Sequence, residues 1–490
     1  MYDIVIIGGG PSGLALAQCI SHLNKRILVV DRESDIGGCH RVRRVDGLFT
    51  EHGPRVYSKT YTVFQALLKE MNIDFDDVFT KYNFSITRIG GETVFSVLTA
   101  RELFLLGLEF VKLMLNEYHG RNTMMKQFLE SNDFNIDSKE LIDRLCKLTD
   151  GGGIDKYTLY EFLQLLNQQF FYSLYQPKTP NDIGLFARWK SFLQSKGVTF
   201  SLETTIDEIS ISGQKIDWIG LVTDNNRRKV VADKYIFAIP PKSLYELVQK
   251  YQVPHNWGNL REYAQETAYI DYVSVTFHWN TVLDLPNTYG FPKSAWGVAF
   301  VVLSDYMKFN ETNSKTVISV AATITDRRSK NNNKTADECN KGELINEIFI
   351  QLKEAYPNLP APTVSVMSPG VIYDYDLRKW ISKDTAYIIT SNKGYLPFRN
   401  ERIPNMYNVG THNGKSLYKF TSLESAVSNS VELSKYIFPE LGYDKYIRLS
   451  RCTSVSDVIR TSVLVLCVFF IYKVIIKNGK QSKRYFGKIK

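Results

Sequence analysis

The first thirty residues constrain this 490-residue chain more than any other segment. Asp3-Ile4-Val5-Ile6-Ile7 is a short, apolar, β-branched run, which predicts a parallel strand buried on both faces. It leads directly into Gly8-Gly9-Gly10-Pro11-Ser12-Gly13, followed by an apolar helix from about Leu14 to Leu23. A second strand, Arg26 to Val30, ends on Asp31. Strand, G-x-G-x-x-G turn, helix, strand and acid in this order specify a Rossmann-type α/β unit that binds a dinucleotide. Gly8 allows the tight turn, Gly10 lets backbone approach a pyrophosphate, and Gly13 lets the helix pack on the strand. The helix start, with Ser12 in its first turn, offers free N–H groups and a partial positive charge to phosphates. Asp31 is placed to accept hydrogen bonds from the adenosine ribose hydroxyls.

Charge invites a different partner, and its distribution removes that reading. The net charge is +9, but Lys445 to Lys490 holds eleven Lys/Arg and a single acid, Asp457. The rest of the chain is near neutral, so a basic nucleic-acid-binding body is not expected. The six cysteines form no C-x-x-C pair, which excludes a zinc site or disulfide framework and suits a reducing compartment. No two of the seven histidines are three to five residues apart, so no metal site is expected. An apolar strand from Tyr2 or Asp3 leaves no space for a signal peptide, and sequons such as Asn83-Phe84-Ser85 and Asn310-Glu311-Thr312 read as chance.

Downstream residues point to a particular family. After Asp31 come Ile36-Gly37-Gly38-Cys39 and then Glu51-His52-Gly53-Pro54-Arg55. Here the chain resembles the FAD-dependent amine oxidase superfamily, which includes monoamine and polyamine oxidases, protoporphyrinogen oxidase, phytoene desaturases and, more distantly, UDP-galactopyranose mutase. The resemblance implies that Gly37 and Gly38 pass close to the flavin and its phosphates, and that Gly53 lies beside the isoalloxazine. Many members carry R-x-G-G-R where this chain has Asp35 and Cys39, so phosphate charge would be met by backbone donors or by residues such as Arg55. Gly53-Pro54-Arg55 resembles protoporphyrinogen oxidase and, loosely, the G-P-H of the mutase.

The likeness recurs at Lys196 to Ile209, where it implies that the Ile206 backbone holds the adenine, and at Ala232 to Pro241. Near the end, a short strand from Asn405 to Gly410 precedes Thr411 and a helix from about Ser422 to Ile437. Thr421 and Glu424 have the spacing of a capping box for that helix. In the family this helix points its N-terminus at the flavin pyrimidine, which implies that the Leu423 N–H lies near O2, where it stabilises charge on the reduced ring. No cysteine lies between Cys339 and Cys452, so the implied FAD is non-covalent.

The middle of the chain is where a substrate would be chosen. Residues 83–195 read as mostly helical, and residues 263–375 alternate as strands. The aromatics of Gln168–Tyr175 and Tyr269–Trp279 read as packed core rather than pocket lining, and His278 as an ordinary strand histidine. Several demands of amine oxidation are unmet. The strand from Tyr269 to Val275 has no lysine, and Ser422 stands where an aromatic often precedes the last helix, with Tyr418 or Phe420 as substitutes. No catalytic acid or base can be named. The arginine-rich uridine diphosphate site of the mutase is not recognisable either, and there is no G-x-S-x-G elbow.

Thr461 to Ile476 is almost unbroken apolar sequence with Arg460, Lys473 and Lys477 about it. Sixteen residues at ~1.5 Å each span about 24 Å, short of a ~30 Å hydrocarbon core but within reach by snorkelling. The expected protein is therefore α/β, with a Rossmann-type FAD-binding domain (1–82, 196–262, 376–444) interleaved with an α+β substrate-binding domain (83–195, 263–375). A basic tail (445–490) would carry a single-pass C-terminal transmembrane helix. The body would face the cytosol, the mitochondrial outer membrane being one possible site, and the partners would be a small-molecule substrate and membrane lipid. The expected function is hydride transfer from a substrate C–H to flavin. The alternatives are a mutase-like flavoenzyme, or a non-catalytic binder resembling the Rab escort and GDP-dissociation inhibitor proteins.

Overall fold

The structure is a computed structural model. It describes residues 1–490 apart from 84–87, 90–91, 255–256, 268, 271, 287–290, 292, 384–385, 388–393, 442–446 and 487–490, and apart from the side chains of 88–89, 150, 266 and 477–486. His255, Asp271, Lys445 and most of the Asn83-Phe84-Ser85 sequon lie outside the described residues.

Nine strands and seven helices suffice to place the site. The strands are β1 (Tyr2–Ile7), β2 (Ile27–Val30), β3 (Thr199–Ser201), β4 (Ala232–Phe237), β5 (Val273–Trp279), β6 (Val298–Val302), β7 (Thr316–Ala322), β8 (Val364–Met367) and β9 (Met406–Asn408). The helices are α1 (Pro11–Ser21), α2 (Thr62–Glu70), α3 (Ala100–Leu115), α4 (Ile136–Asp150), α5 (Leu159–Gln169), α6 (Leu423–Ile437) and α7 (Val455–Phe486).

The first sheet has the order β3-β2-β1-β4-β9, with every pairing parallel. Its register sets Ile7 opposite both Val30 and Phe237, so β1, β2 and β4 end together beside the glycine turn. Ile4, Val5 and Ile6 are completely buried, as a strand covered on both faces requires. Helices α1 and α6 pack together on one face, and the Ser430 hydroxyl donates to the Ser12 carbonyl at 2.8 Å. Helix α1 begins at Pro11, three residues before the predicted start, because proline fits the first helical position, where its missing N–H is not needed.

The second sheet is antiparallel, in the order β6-β7-β5-β8. The helix Lys341–Leu352 contributes Leu344, Ile348 and Leu352 to the core cluster on this sheet. Residues 94–195 supply helices, including α3, α4 and α5, as the sequence predicts. A hairpin of Val371–Asp374 with Lys379–Ser382 straddles the expected boundary at 375/376.

Two expectations about packing fail. Phe170 and Phe171 are 43% and 52% exposed rather than core, because they lie just past the end of α5. The cap of α6 is also different. Ser422 is the N-cap, its side chain accepting from the Ser425 N–H, and Ser425 completes the box. Glu424 instead turns outward from its helix and accepts from the N–H groups of Val63 (2.8 Å) and Phe64 (3.0 Å), capping α2. Two of the orphan donors of α2 are satisfied by a residue 360 positions away, which local spacing cannot reveal.

Candidate active site

One large cavity, of about 660 Å³, joins the two sheets. Gly8, Gly10, Pro11 and Ser12 from the turn before α1 line it, with Asp31 and Arg32 after β2 and Gly38 to Arg41. Gly53 to Val56, Ile206, Gly410, Thr411 and Thr421 to Leu423 complete this part of its wall. Of the residues singled out in the sequence, Gly13 and Gly37 alone are absent from the lining, and each acts one layer behind it. A Cβ on Gly13 would lie 2.0 Å from the Gly8 carbonyl oxygen, so the bare Cα is what lets α1 sit against the turn. The Gly37 N–H donates to the Gly9 carbonyl at 2.8 Å, which brings the second glycine loop onto the first.

Asp31 is the knot of this region. Its carboxylate accepts from the N–H groups of Gly9 (2.7 Å) and Glu33 (3.0 Å) and from the Arg41 guanidinium (3.2 Å). Arg41 is 7% exposed and also donates to the Asp35 carbonyl at 2.9 and 2.7 Å. Sequence reasoning missed Arg41. The available signal was an arginine two residues after Cys39, where the family places one, and the backbone here brings that displaced cation back to the carboxylate.

Arg55 is buried on the opposite wall. It donates to the Cys39 carbonyl at 2.5 Å, while its Nε is buried with no hydrogen-bond partner among the described residues. Around it lie His40, whose Nδ1 is 3.0 Å from the Tyr57 hydroxyl, and His52, whose ring is 4.7 Å from that of Tyr272. Burial and then the Arg55 guanidinium push both imidazoles well below their usual pKa, which keeps them neutral. A Cβ on Gly53 would come within 2.7 Å of the Tyr272 ring, so Gly53 is the floor on which that ring rests. Tyr272 is buried in the main core cluster, as expected, and also presents to the cavity.

The remaining predicted residues divide. Leu423 opens α6 and lines the cavity, where first-turn N–H groups have no acceptor within their own helix. The Thr411 hydroxyl donates to Tyr387 at 2.9 Å, and the Tyr387 hydroxyl lies 2.8 Å from Nδ1 of buried His412. Burial lowers His412 to about 3, so it stays neutral. Gly410 donates its N–H to Asn413 at 2.9 Å. Ile206 lines the cavity beside a β-bulge, but its carbonyl already accepts from the Tyr251 hydroxyl at 2.7 Å. Of the substitutes for an aromatic at Ser422, Phe420 lines the cavity. Tyr418 instead hydrogen-bonds Gln169, one layer back. His278 is a satisfied core histidine, 2.9 Å from both Ser314 and the Phe49 carbonyl. No cluster of His, Cys, Asp and Glu among the described residues could hold a metal.

Away from the glycine turns much of the lining is apolar, with Lys147, Gln169 and Thr323 set among it. Leu145, Leu148, Leu165 and Leu174 come from α4, α5 and the strand Leu174–Pro177, and Ala299, Phe300, Val301 and Ala321 from β6 and β7. The cavity thus has a backbone-rich half at two converging helix N-termini and a greasy half between the second sheet and the helical layer.

These residues fit FAD. The glycine cradle leaves room for a pyrophosphate, the N-termini of α1 and α6 favour its negative charge, and the unpartnered Arg55 Nε is a donor awaiting an acceptor. A doubly wound sheet with this site defines a dinucleotide-binding flavoprotein of the oxidoreductase class. The pattern of the flavin-containing amine oxidoreductase family matches residues 11–429, and the chain belongs to that family, whose cofactor is FAD.

Two curated relatives match over short stretches. UDP-galactopyranose mutase of Mycoplasma genitalium is 39% identical over 61 residues, 11% of this chain and 15% of the mutase. Putrescine oxidase of Kocuria rosea is 31% identical over 72 residues, 15% of each chain. Solved structures match over nearly the whole chain at low identity, and so report fold alone. Putrescine oxidase bound to putrescine aligns with a TM-score of 0.62 at 14% identity, over 89% of this chain and 99% of that one. A fatty acid isomerase from P. acnes aligns at 0.56 and 14% identity, over 89% and 99%.

Two buried carboxyls near the site give a pH signature. Burial raises both Glu51 and Glu424 to about 7, against an ordinary carboxyl value of 4.5. A folded-state pKa above the unfolded one means that folding takes up protons. Stability from these groups is therefore complete below about pH 4.5 and lost as pH rises through 7. At ~1.4 kcal/mol per pH unit, each carboxyl contributes up to about 3 kcal/mol of this slope. Glu424→Gln, which keeps an acceptor for α2, should flatten the fall in Tm between pH 5 and 8. Identical slopes in variant and parent would sink this assignment.

Proposed function

We propose that the chain is a membrane-anchored FAD-dependent oxidoreductase that removes a hydride from a C–H bond of an apolar substrate and passes the electrons to oxygen or another acceptor. Non-covalently bound FAD supplies the hydride acceptor at N5. Gly8, Gly10, Ser12, Gly38 and Asp31 would hold the adenosine and pyrophosphate, with Gly37 and Gly13 setting the loops. Ile206 would flank the adenine. Gly53, Pro54, Arg55, Gly410, Thr411 and Leu423 would surround the flavin, the start of α6 stabilising negative charge that develops at O2. Residues 1–82, 196–262 and 376–444 would form the FAD-binding domain and 83–195 and 263–375 the substrate-binding domain.

The observation that carries the substrate class is the greasy half of the cavity. The helices and second sheet contribute leucines, Phe300 and Val301 there beside Lys147, Gln169 and Thr323, and the carboxylates of the described lining, Asp31, Glu33 and Glu246, come from other segments. A protonated amine in such a pocket would carry an unpaid desolvation cost, whereas an apolar substrate gains by burial. The short match to UDP-galactopyranose mutase favours a second reading, a flavoenzyme acting on a sugar nucleotide. Yet the arginines of the described lining are Arg32, Arg41 and Arg55, all from segments assigned to the cofactor, and the helical layer adds a single cation, Lys147.

The membrane reading rests on α7. Val455–Ile476 has a mean hydropathy of 2.2, and beyond its docked first turn every residue from Arg460 to Ile476 is exposed. The helix is continuous to Phe486, so the span is bounded by Arg460 and Lys477 rather than by helix ends. The mitochondrial outer membrane, with the body on the cytosolic side, is one location that suits a C-terminal anchor with a basic tail.

The full chain in detergent should be yellow, and anaerobic bleaching should be fastest with apolar substrates in a panel of hydrophobic C–H donors, amines and UDP-galactose. Preferential bleaching by diamines would overturn the substrate class, and turnover of UDP-galactose would favour the second reading. A colourless protein that cannot take up FAD would return the chain to the non-catalytic binders.

A further inference from the structure

Helix α3 carries an apolar stripe that nothing among the described residues covers. Phe104, Leu108, Val111 and Leu115 follow one another at spacings of four, three and four, which is one face of a helix, and are 65%, 40%, 49% and 85% exposed. The opposite face of the same helix is buried through Leu106 and Leu113. An apolar face of this kind on a folded chain marks a contact.

The place where α7 leaves the body says what that contact is. The first turn of α7 is docked: the Ser456 N–H and hydroxyl donate to Asn167 of α5 at 2.8 and 2.9 Å. One turn later the Arg460 guanidinium donates to the carbonyl of Met114, in the last turn of α3. On the other side the Tyr172 hydroxyl donates to the Thr453 carbonyl at 3.1 Å, directly after exposed Phe170 and Phe171. The emerging helix is thus tethered next to Val111 and Leu115 through Met114, and next to the two phenylalanines through Tyr172. From Val463 onward α7 itself is exposed and apolar.

We propose that the α3 stripe is a second membrane contact, seated in the interface of the same bilayer leaflet that α7 enters. This rests on the reading of α7 as a membrane span. The tether at Met114 holds α3 beside the bilayer, so the stripe meets lipid at a high effective concentration and needs little affinity of its own. The two contacts together fix how the body lies on the surface. Helix α5, which touches both α3 and α7, supplies Leu165 and Gln169 to the cavity wall, so the helical wall of the cavity faces the lipid.

The test places one environment-sensitive fluorescent amino acid in the full chain, in turn at Leu108, at Phe104, at Leu466 within α7 and at Tyr375, which is 85% exposed on a distant hairpin. Each protein, checked for unchanged flavin absorption, is reconstituted in phosphatidylcholine vesicles containing a doxyl-labelled lipid. Probes at Leu108, Phe104 and Leu466 should be quenched severalfold more than the probe at Tyr375. Quenching at Leu466 without quenching at Leu108 and Phe104 overturns the proposal and leaves the anchor standing. Absence of quenching at all four sites removes the anchor and the proposal with it. Emission at Leu108 that shifts with protein concentration while remaining unquenched assigns the stripe to a second copy of the chain, and overturns the proposal.

Discussion

Asp31→Ala should yield a protein without colour. The substitution removes the acceptor for the Gly9 and Glu33 N–H groups and, more costly, leaves the buried Arg41 guanidinium without its counter-ion. Breaking a buried pair from one side costs ~3–5 kcal/mol. At ~1.4 kcal/mol per decade, FAD affinity should fall about 10- to 60-fold if half of that cost is felt at the cofactor loops, and at least about 100-fold if all of it is. Asp31→Asn keeps an acceptor for the two backbone donors but not the charge, and should fall between. The check is FAD content of the purified chain, followed by titration of the stripped protein with FAD. An Asp31→Ala protein with parental FAD content would show that the carboxylate ties loops together without serving the cofactor.

A chain ended after Arg460 should move from the membrane fraction to the soluble fraction while keeping its flavin. The cut keeps the docked turn of α7, including Ser456 on Asn167 and Arg460 on Met114, and removes only the helix that lies outside the body. Sixteen mostly apolar residues are lost with it, and each well-buried Val, Leu, Ile or Phe side chain is worth ~1.5–3 kcal/mol in lipid. Membrane partition should therefore fall by many orders of magnitude, apart from any residual attachment through the α3 stripe. Fractionation in high salt and then in carbonate distinguishes the two: full-length protein should resist both washes, and the shortened chain neither. A full-length protein released by salt alone would argue against a span.

How much was legible follows from how local each signal is. The turn at Gly8–Gly13 and the acid at Asp31 were readable because their constraint is written within one strand–turn–helix–strand unit. The apolar tail was readable because a span needs only a run of side chains, whatever surrounds it. Glu424 was misread for the opposite reason: its spacing from Thr421 mimics a local cap, but its partners at Val63 and Phe64 come from another element. The phenylalanines after α5 were misassigned likewise, since an aromatic in a strand or helix pattern does not state whether it meets core, cavity or solvent. Arg41 was missed because the family marks a position, whereas charge acts through space.

The sequence by itself determined that this chain builds a dinucleotide-binding sheet, belongs with the flavin-containing amine oxidoreductases and ends in an apolar helix. These are properties of residue order at short range, set by strand and helix periodicity and by glycines that permit close approach. Only the tertiary structure decided that Arg41 and Asp31 form one buried pair and that leucines from separate helices share the cavity with Phe300 and Val301. It alone decided that the apolar face of α3 lies where α7 leaves the body. Those facts depend on segments tens to hundreds of residues apart meeting in space, and no local pattern encodes which of their faces will meet.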